Sequence, residues 1–284
     1  MLRNLRHYER PATVEDAVAL AQSNANAVYL AGGAWTVAQG DPTLEFAVDL
    51  QGLGLDAIEA DVDGVRIGAT ASLQALIDHA DAGSLANGML SRAAGYVQSR
   101  NLREQGTVGG TLMVAGAADP LTTALLVLDV EIRYADPVVH TAPFMSFVAY
   151  RDRLAKTKTL LTELHVKRPS AGSAGVFEVV GRSPKDKPIV CAAAYVEMDE
   201  GLPNVVRVAV GGAHGQPTRL HKAEHICTGQ FLTSDKVSEA LKPALADLTP
   251  IADFRGSIDY RLDMAAVLAR RAIMGAWQVA RRSS

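Results

Sequence analysis

The stretch that decides the fold is LREQGTVGGTLMVAGAADPLTTALLVLD, residues 102–129, which places a double glycine between hydroxyl side chains. Glycine lacks a Cβ and adopts backbone angles that other residues avoid, so the chain can turn tightly there and lie directly against a ligand. Such a turn points successive N–H groups into one concavity, which suits an anion such as a pyrophosphate. The candidate ligand-binding positions in this stretch are Gly106, Thr107, Val108, Gly109, Gly110 and Thr111.

A second double glycine lies upstream and directly follows the β-prone residues 27–31. Its candidate positions are Ala31, Gly32, Gly33, Ala34, Trp35 and Thr36. Two loops of this kind on separate segments can clamp one phosphate ligand from both sides. Neither loop fits the G-x-G-x-x-G or G-x-x-x-x-G-K-[ST] pattern, and most Gly-Gly pairs are ordinary turns. The glycines alone therefore leave the function open.

Longer motifs add a family resemblance. Residues 102–129 resemble the second flavin-binding segment in the FAD subunits of molybdenum hydroxylases, the family of the carbon monoxide dehydrogenase medium subunit and the xanthine dehydrogenase flavin domain. The loop at 31–36 is similar to the family's A-G-G-T-D-L segment. Residues 208–224 resemble its A-x-G-G-x-x-x-x-P-x-R-x-x-x-x-E segment, and residues 253–272 resemble the start of its final helix. The motifs follow the family's order along nearly the whole chain.

The resemblance implies an α+β fold with a two-part, PCMH-type FAD-binding domain at residues 1–170, split near residue 55. A C-terminal domain at residues 171–284 is expected to hold a three-stranded antiparallel sheet with helices. The small-residue connector 168–175 agrees with a boundary near residue 170.

The function that the resemblance implies is that of an oxidoreductase subunit carrying FAD. Such a subunit passes electrons from the clusters of a [2Fe–2S] small subunit to an external acceptor such as NAD, a quinone or oxygen. A molybdopterin large subunit hydroxylates the substrate, and the expected assembly is an (αβγ)2 heterohexamer. No side chain of this subunit acts as a catalytic acid, base or nucleophile, because the flavin supplies the redox chemistry.

The same resemblance assigns the site residues. The two glycine loops are expected to hold the FAD pyrophosphate through their N–H groups and hydroxyls. Arg219 and Lys222 are candidate cofactor-binding cations, although exposed cations are more often simply solvated. Asp119 is a further candidate, one residue before the position at which relatives carry an aspartate near the flavin. Ile189 ends the loop 182–189, which in relatives lies near the isoalloxazine ring.

Departures from the family pattern keep alternatives open. Trp35 stands where relatives carry a small polar residue, and its indole either shields the cofactor or fills the loop. Thr111 replaces a frequent asparagine, and Tyr195 either covers the flavin ring or belongs to the core. One alternative is therefore a structural subunit whose flavin site has degenerated. The other is a stand-alone flavin oxidase, which normally carries a substrate-binding domain for which this chain is short.

Composition narrows the function classes. The chain has 284 residues and a net charge of −3, which gives no electrostatic case for nucleic acid. No apolar run approaches the length of a membrane span, and the N-terminus lacks the apolar region of a signal peptide, so a cytoplasmic protein is expected. The two cysteines, Cys191 and Cys227, are too few for an iron–sulfur cluster. The seven histidines are scattered without the spacing of a metal site. We therefore expect no metal site, and any electron transfer must use an organic cofactor.

Periodicity predicts the secondary structure. The predicted helices are residues 14–23, 72–80, 85–98, 234–248 and 257–281. The predicted strands are residues 27–31, 46–50, 56–60, 65–69, 130–134, 160–167, 175–180, 189–198 and 205–210.

Overall fold

The computed structural model of the chain describes residues 2–97, 99–183 and 186–283. Its strands are β1 His7–Glu9, β2 Ala27–Leu30, β3 Phe46–Asp49, β4 Ile58–Ala60, β5 Gly64–Gly68, β6 Val130–Asp136, β7 Val138–Pro143, β8 Leu160–Lys167, β9 Ser173–Val180, β10 Val190–Asp199, β11 Leu202–Gly211 and β12 Thr218–Arg219. Its helices are α1 Val14–Ser23, α2 Ala34–Gln39, α3 Leu73–Asp78, α4 Ala80–Ala94, α5 Arg100–Gln105, α6 Val108–Met113, α7 Pro120–Leu125, α8 Phe144–Lys156, α9 His221–Cys227, α10 Ser234–Leu245 and α11 Ile258–Ser283.

The chain divides into two units, each built from several segments. The N-terminal unit comprises Met1–His79, Val97–Val114 and Val130–Val166. The C-terminal unit comprises Ala80–Tyr96, Ala115–Asp129 and Lys167–Ser284. The domain boundary expected near residue 170 stays a prediction.

The N-terminal unit contains two sheets. The first is fully parallel, with strand order β1-β3-β2, and the second has the order β4-β5-β8-β6-β7. Helix α1 begins at Thr13, whose hydroxyl accepts the Asp16 amide at 3.1 Å. Its apolar face, centred on Val18, is buried with β3 and β8 residues in one core. This packing fixes the parallel sheet and hence the loops that leave its edge.

The C-terminal unit is one sheet with the strand order β12-β11-β10-β9, antiparallel throughout. Alternate β10 residues such as Ala192 and Ala194 share a core with Ala269 and Ile273 of α11. Helices α4 and α7 also pack on this sheet. The expectation of a three-stranded sheet is wrong by one strand. The fourth, β12, has only two residues, which is too short to show an alternating pattern.

Two features of the fold bear on the predicted helices. Helix α4 is interrupted at 85–88, where Ala86 and Asn87 have positive φ angles of 48° and 60°. The glycines at 109 and 110 lie inside a short helix, α6, instead of a turn.

Within the described residues, every helix is too short or too polar to span a membrane.

Candidate functional site

The first glycine loop leaves the carboxyl edge of the parallel sheet. Strand β2 ends at Leu30, and Gly33 then caps helix α2 in the left-handed conformation, with φ at 75°. No side chain caps this helix, and the first N–H groups of any helix lack an acceptor within it. Ligands of open parallel sheets bind at this edge. The structure therefore places the first glycine loop at the edge where open parallel sheets bind their ligands.

A buried carboxylate stands at the end of the neighbouring strand, and the sequence analysis did not select it. Asp49 accepts hydrogen bonds from Tyr8 Oη at 2.5 Å, Arg10 Nε at 2.7 Å and the Gln51 amide at 2.9 Å. Burial opposes ionisation of Asp49, but these hydrogen bonds outweigh it and its pKa is lowered. An aspartate that closes an apolar strand is the signal that was available. The cluster fixes the ends of β1 and β3 beside the β2 loop.

The second glycine loop is the start of helix α6, with Thr107 as its cap. The Val108 amide donates to Ala71 O at 2.9 Å, and the Gly109 amide donates to Ala69 O at 2.8 Å. The Gly110 amide donates to Thr107 Oγ1 at 3.1 Å. These amides therefore already have protein acceptors. What this loop offers a ligand is its threonine hydroxyls, because the Thr107 oxygen that accepts from Gly110 still carries its own proton.

The two glycine loops meet in the N-terminal unit. A methyl group added at Gly32 would overlap the carbonyl oxygen of Gln105, which directly precedes Gly106. The Gly106 carbonyl in turn accepts the Leu73 amide at 2.8 Å. A Cβ at Gly109 would lie 2.8 Å from Ala69 Cβ. Gly32 and Gly109 are thus needed for backbone packing, and the contact between Gly32 and Gln105 places the two predicted loops side by side.

Two of the other predicted positions lie in the C-terminal unit. Asp119 caps helix α7, where its carboxylate accepts the Thr122 amide at 2.8 Å and the Thr122 hydroxyl at 2.7 Å. Gly212 has a φ of 87°, and a Cβ there would overlap the Ile189 carbonyl oxygen and lie 3.1 Å from Ala118 Cβ. Gly212 therefore lies against the Ile189 backbone and against Ala118, which directly precedes Asp119. The side chain of Ile189 is buried.

The two predicted cations have carboxylate partners. Arg219 donates to Glu224 from Nε at 2.8 Å and from Nη2 at 2.7 Å. The buried Glu224 also accepts the Val208 amide at 2.9 Å. The arginine and the glutamate of the C-terminal motif are thus a salt bridge that ties β12 and α9 to β11. Lys222 Nζ lies 2.6 Å from Asp247 on the surface. The role of both cations in cofactor binding stays a prediction.

The aromatic candidates differ in exposure. Tyr195 is buried in β10, its hydroxyl lies 3.4 Å from Glu197, and the Arg207 guanidinium lies 5.9 Å from its ring centre. This placement favours the core interpretation of Tyr195. Trp35 lies on α2 with a partly exposed side chain.

Within the loop 182–189, residues 184 and 185 lie outside the described residues.

The two cysteines have buried thiols of low reactivity. Both Cys191 and Cys227 are free thiols in buried positions. Burial raises the pKa of the Cys191 thiol to about 12 and that of Cys227 to about 11. The reactive form of cysteine is the thiolate, so neither residue is set up for redox chemistry. Across the described ranges, no three His, Cys, Asp or Glu side chains are grouped to hold a metal ion.

Comparisons with known proteins cover both parts of the chain. Residues 3–169 match the family model of the FAD binding domain in molybdopterin dehydrogenase, and residues 175–276 match that of the CO dehydrogenase flavoprotein C-terminal domain. The uncharacterized protein YgfM of Escherichia coli K12 is 30% identical over 93% of each chain. The nicotine 6-hydroxylase medium subunit of Paenarthrobacter nicotinovorans is 28% identical over 95% of this chain and 96% of its own.

Solved structures include chains with the same fold, as one of them illustrates. It is a carbon monoxide dehydrogenase from Hydrogenophaga pseudoflava, with a TM-score of 0.90 and 24% identity. The match covers 98% of this chain and 99% of the other. The α+β architecture described above is therefore also the fold of a chain in that carbon monoxide dehydrogenase structure.

Proposed function

The chain belongs to the family of FAD-binding subunits of molybdopterin dehydrogenases, and on that premise we propose that it is the electron-transfer subunit of a molybdenum hydroxylase. FAD is its cofactor, and it is an oxidoreductase subunit of the carbon monoxide and xanthine dehydrogenase type. In the proposal, a [2Fe–2S] small subunit delivers electrons and an external acceptor removes them. A molybdopterin large subunit holds the hydroxylation site. The proposed assembly is an (αβγ)2 complex in the cytoplasm.

The observation that carries this proposal is the meeting of the two glycine loops at the carboxyl edge of the parallel sheet. The donors there suit the pyrophosphate of a dinucleotide. They are the amide of Ala34 at the start of α2 and the hydroxyls of Thr36, Thr107 and Thr111. Hydrogen bonds to an ionised phosphate are short and strong, so several such donors can hold it without a lysine. When bound, FAD supplies the electron-accepting and electron-donating chemistry.

In this proposal, the residues of the chain bind the FAD and orient it. Gly32 and Gly109 set the loop geometry, and Gly33 turns the start of α2 toward the ligand. Asp119 and Ile189 are proposed to border the flavin ring. Arg219 and Lys222 are already neutralised by Glu224 and Asp247, so we assign them to local structure before ligand binding.

The test is cofactor stoichiometry. The purified chain, denatured, should release FAD at about one per chain, identified by chromatography and by its absorbance. FMN in place of FAD, or a folded chain in its complex without flavin, would contradict the proposal. The second result would favour a structural subunit with a degenerate flavin site. The specific observation behind that alternative is the pairing of the amides of residues 108–110 with protein acceptors.

A further inference from the structure

Lys158 follows the C-terminus of α8 and has a left-handed backbone conformation, with φ at 55°. Its amide donates to Ala155 O at 3.2 Å, and the Thr159 amide donates to Leu154 O at 2.9 Å, so the turn satisfies two of the last carbonyls of the helix. Glycine is the usual residue at such a position, because other side chains are strained there. A lysine at this position indicates that its side chain makes a contact that outweighs the strain.

That contact is with strand β2. Lys158 Nζ donates to Ala27 O at 2.6 Å, and the Tyr29 hydroxyl donates to Lys158 O at 2.7 Å. Both bonds are partly buried and join residues that lie 131 and 129 positions apart in the sequence. Lys158 is thus attached to β2 through both its side chain and its backbone. We refer to these two bonds as the Lys158–β2 link.

Strand β2 leads directly into the first glycine loop. Its last residue, Leu30, lies opposite Asp49 of β3, and Leu30 O accepts the Leu50 amide at 2.9 Å. Gly32, two residues later, packs against the carbonyl oxygen of Gln105. The Lys158–β2 link therefore holds the beginning of β2, and the Gly32 contact holds the end that carries the loop.

The turn at Lys158 also leads into β8, which supports the second glycine loop. In β8, Thr162 O accepts the Ala69 amide at 2.9 Å. Ala69 O in turn accepts the Gly109 amide at 2.8 Å, inside α6. A chain of backbone hydrogen bonds thus runs from β8 to the second loop. Lys158, just before β8, is bonded to the strand that carries the first loop.

Apolar contacts alone leave the relation between these strands less defined. One core of the N-terminal unit buries Ala27 of β2 together with Leu160 of β8 and the apolar face of α1. Apolar contacts are non-directional, so they hold the strands together without fixing how one is turned on the other. Hydrogen bonds weaken steeply when their angles change. The Lys158–β2 link therefore supplies a directional contact between β2 and the turn before β8.

We propose that Lys158 is a positioning residue for FAD, because it keeps the two glycine loops where one pyrophosphate contacts both. This inference rests on the proposed function, in which both loops bind the pyrophosphate. Lys158 does not touch the cofactor. It acts through β2 on the first loop and through β8 on the second. Groups that bind one ligand together have to be held within about 0.5 Å of the productive geometry, so a small turn of β2 weakens binding.

The test separates FAD affinity from stability by means of three substitutions in the full chain, which is freed of flavin and titrated with FAD. Lys158→Gly removes both the strain and the Nζ bond, Lys158→Met keeps the strain without the bond, and Lys158→Arg keeps both. We expect the Kd for FAD to rise roughly 10-fold in the first two variants and to stay within about 3-fold of wild type in the third. The unfolding midpoint of the flavin-free chain should be clearly lowered in Lys158→Met alone, since only that variant combines the strain with a lost bond.

The matched control is Glu200→Gly, which removes a positive φ of 46° from the turn between β10 and β11. It relieves the same kind of strain in a part of the chain that carries neither glycine loop, and the Kd for FAD should stay at the wild-type value. Tyr29→Phe removes the other bond of the Lys158–β2 link and leaves Lys158 in place. This variant should raise the Kd for FAD by a smaller factor, roughly 3-fold.

Two results would overturn the positioning role. One is wild-type affinity for FAD in both Lys158→Gly and Lys158→Met. The other is a parallel fall of FAD affinity and unfolding midpoint across the series, because Lys158 would then act only through stability. Either result leaves the proposed function standing, since the wild-type chain still binds FAD. A wild-type chain that binds no FAD would refute the proposed function itself, and this inference with it.

Discussion

Gly32 and Gly33 are neighbours in the sequence but meet different physical needs. Gly33 has a positive φ, which few other residues adopt. Gly32 has no such angle, and what it requires is space against the Gln105 carbonyl. Gly109 and Gly110 likewise lie in a helix, and their importance is close packing instead of unusual backbone angles. The sequence identified these positions, but the reasons for them depend on contacts between distant segments.

The first prediction compares Gly32→Ala with Gly215→Ala. A methyl at residue 32 overlaps backbone that cannot move cheaply, whereas nothing lies within 4 Å of the position at residue 215. Overpacking of this kind costs about 1–3 kcal/mol, and the shift separates the two loops. We expect Gly32→Ala to lower both the Tm and the FAD occupancy, and Gly215→Ala to leave both near wild type. Unchanged FAD occupancy in Gly32→Ala would show that the loop contact does not matter for binding.

At the scale of elements, segments with a clear apolar pattern were predicted, whereas several short elements and the 13-residue helix α8 were missed. The predicted ranges 14–23 and 160–167 coincide with α1 and β8, since both pair a clear apolar pattern with a capping or strand-ending signal. β12 has two residues and α6 has six, so neither is long enough to repeat its pattern twice. The break in α4 at 85–88 carries non-glycine residues with positive φ, which propensity alone does not predict. The sequence motif contains both Arg219 and Glu224. It does not show that their salt bridge ties β12 to β11, because that pairing depends on the fold.

The second prediction concerns that salt bridge. Glu224→Ala leaves the Arg219 guanidinium partly buried without its carboxylate and removes the acceptor of the Val208 amide. Loss of one partner from a buried pair costs about 3–5 kcal/mol. The control Lys242→Ala removes an exposed pair with Glu239 and should cost less than about 1 kcal/mol. Chemical unfolding with both variants measures the difference. Similar midpoints would mean that the Arg219–Glu224 pair behaves as a surface ion pair.

At the scale of the whole molecule, the order of the motifs predicted the family and the fold class. It did not predict how the chain is distributed between the two units. That distribution is set by where α4 and α7 pack, and their packing partners β9, β10 and β11 lie far along the chain. Local patterns carry no information about such distant contacts. The fourth strand of the C-terminal sheet was missed for the same reason, because its pairing with Ala209 and Val210 defines it.

The third prediction concerns the dependence on partners. The flavin-loaded chain alone, mixed anaerobically with hydroxylation substrates of the complex, should keep its flavin absorbance. Addition of the iron–sulfur and large subunits should make the bleaching depend on substrate. The physical reason is that the described residues contain no cluster of side chains that could hold a redox metal. Bleaching by the chain alone would favour the stand-alone flavin oxidase instead.

The division of the chain has a consequence for its biosynthesis. Segments Ala80–Tyr96 and Ala115–Asp129 leave the ribosome before the strands of the C-terminal unit on which they pack. The N-terminal unit has all its segments once Val166 has emerged, but the C-terminal unit lacks α11 until translation is nearly over. The apolar faces of α4 and α7 therefore stay exposed to solvent until those strands are made. Exposed apolar surface of this kind promotes aggregation and chaperone binding. Slow translation between β8 and α11 is expected to lower the yield of folded chain more than slow translation before α4.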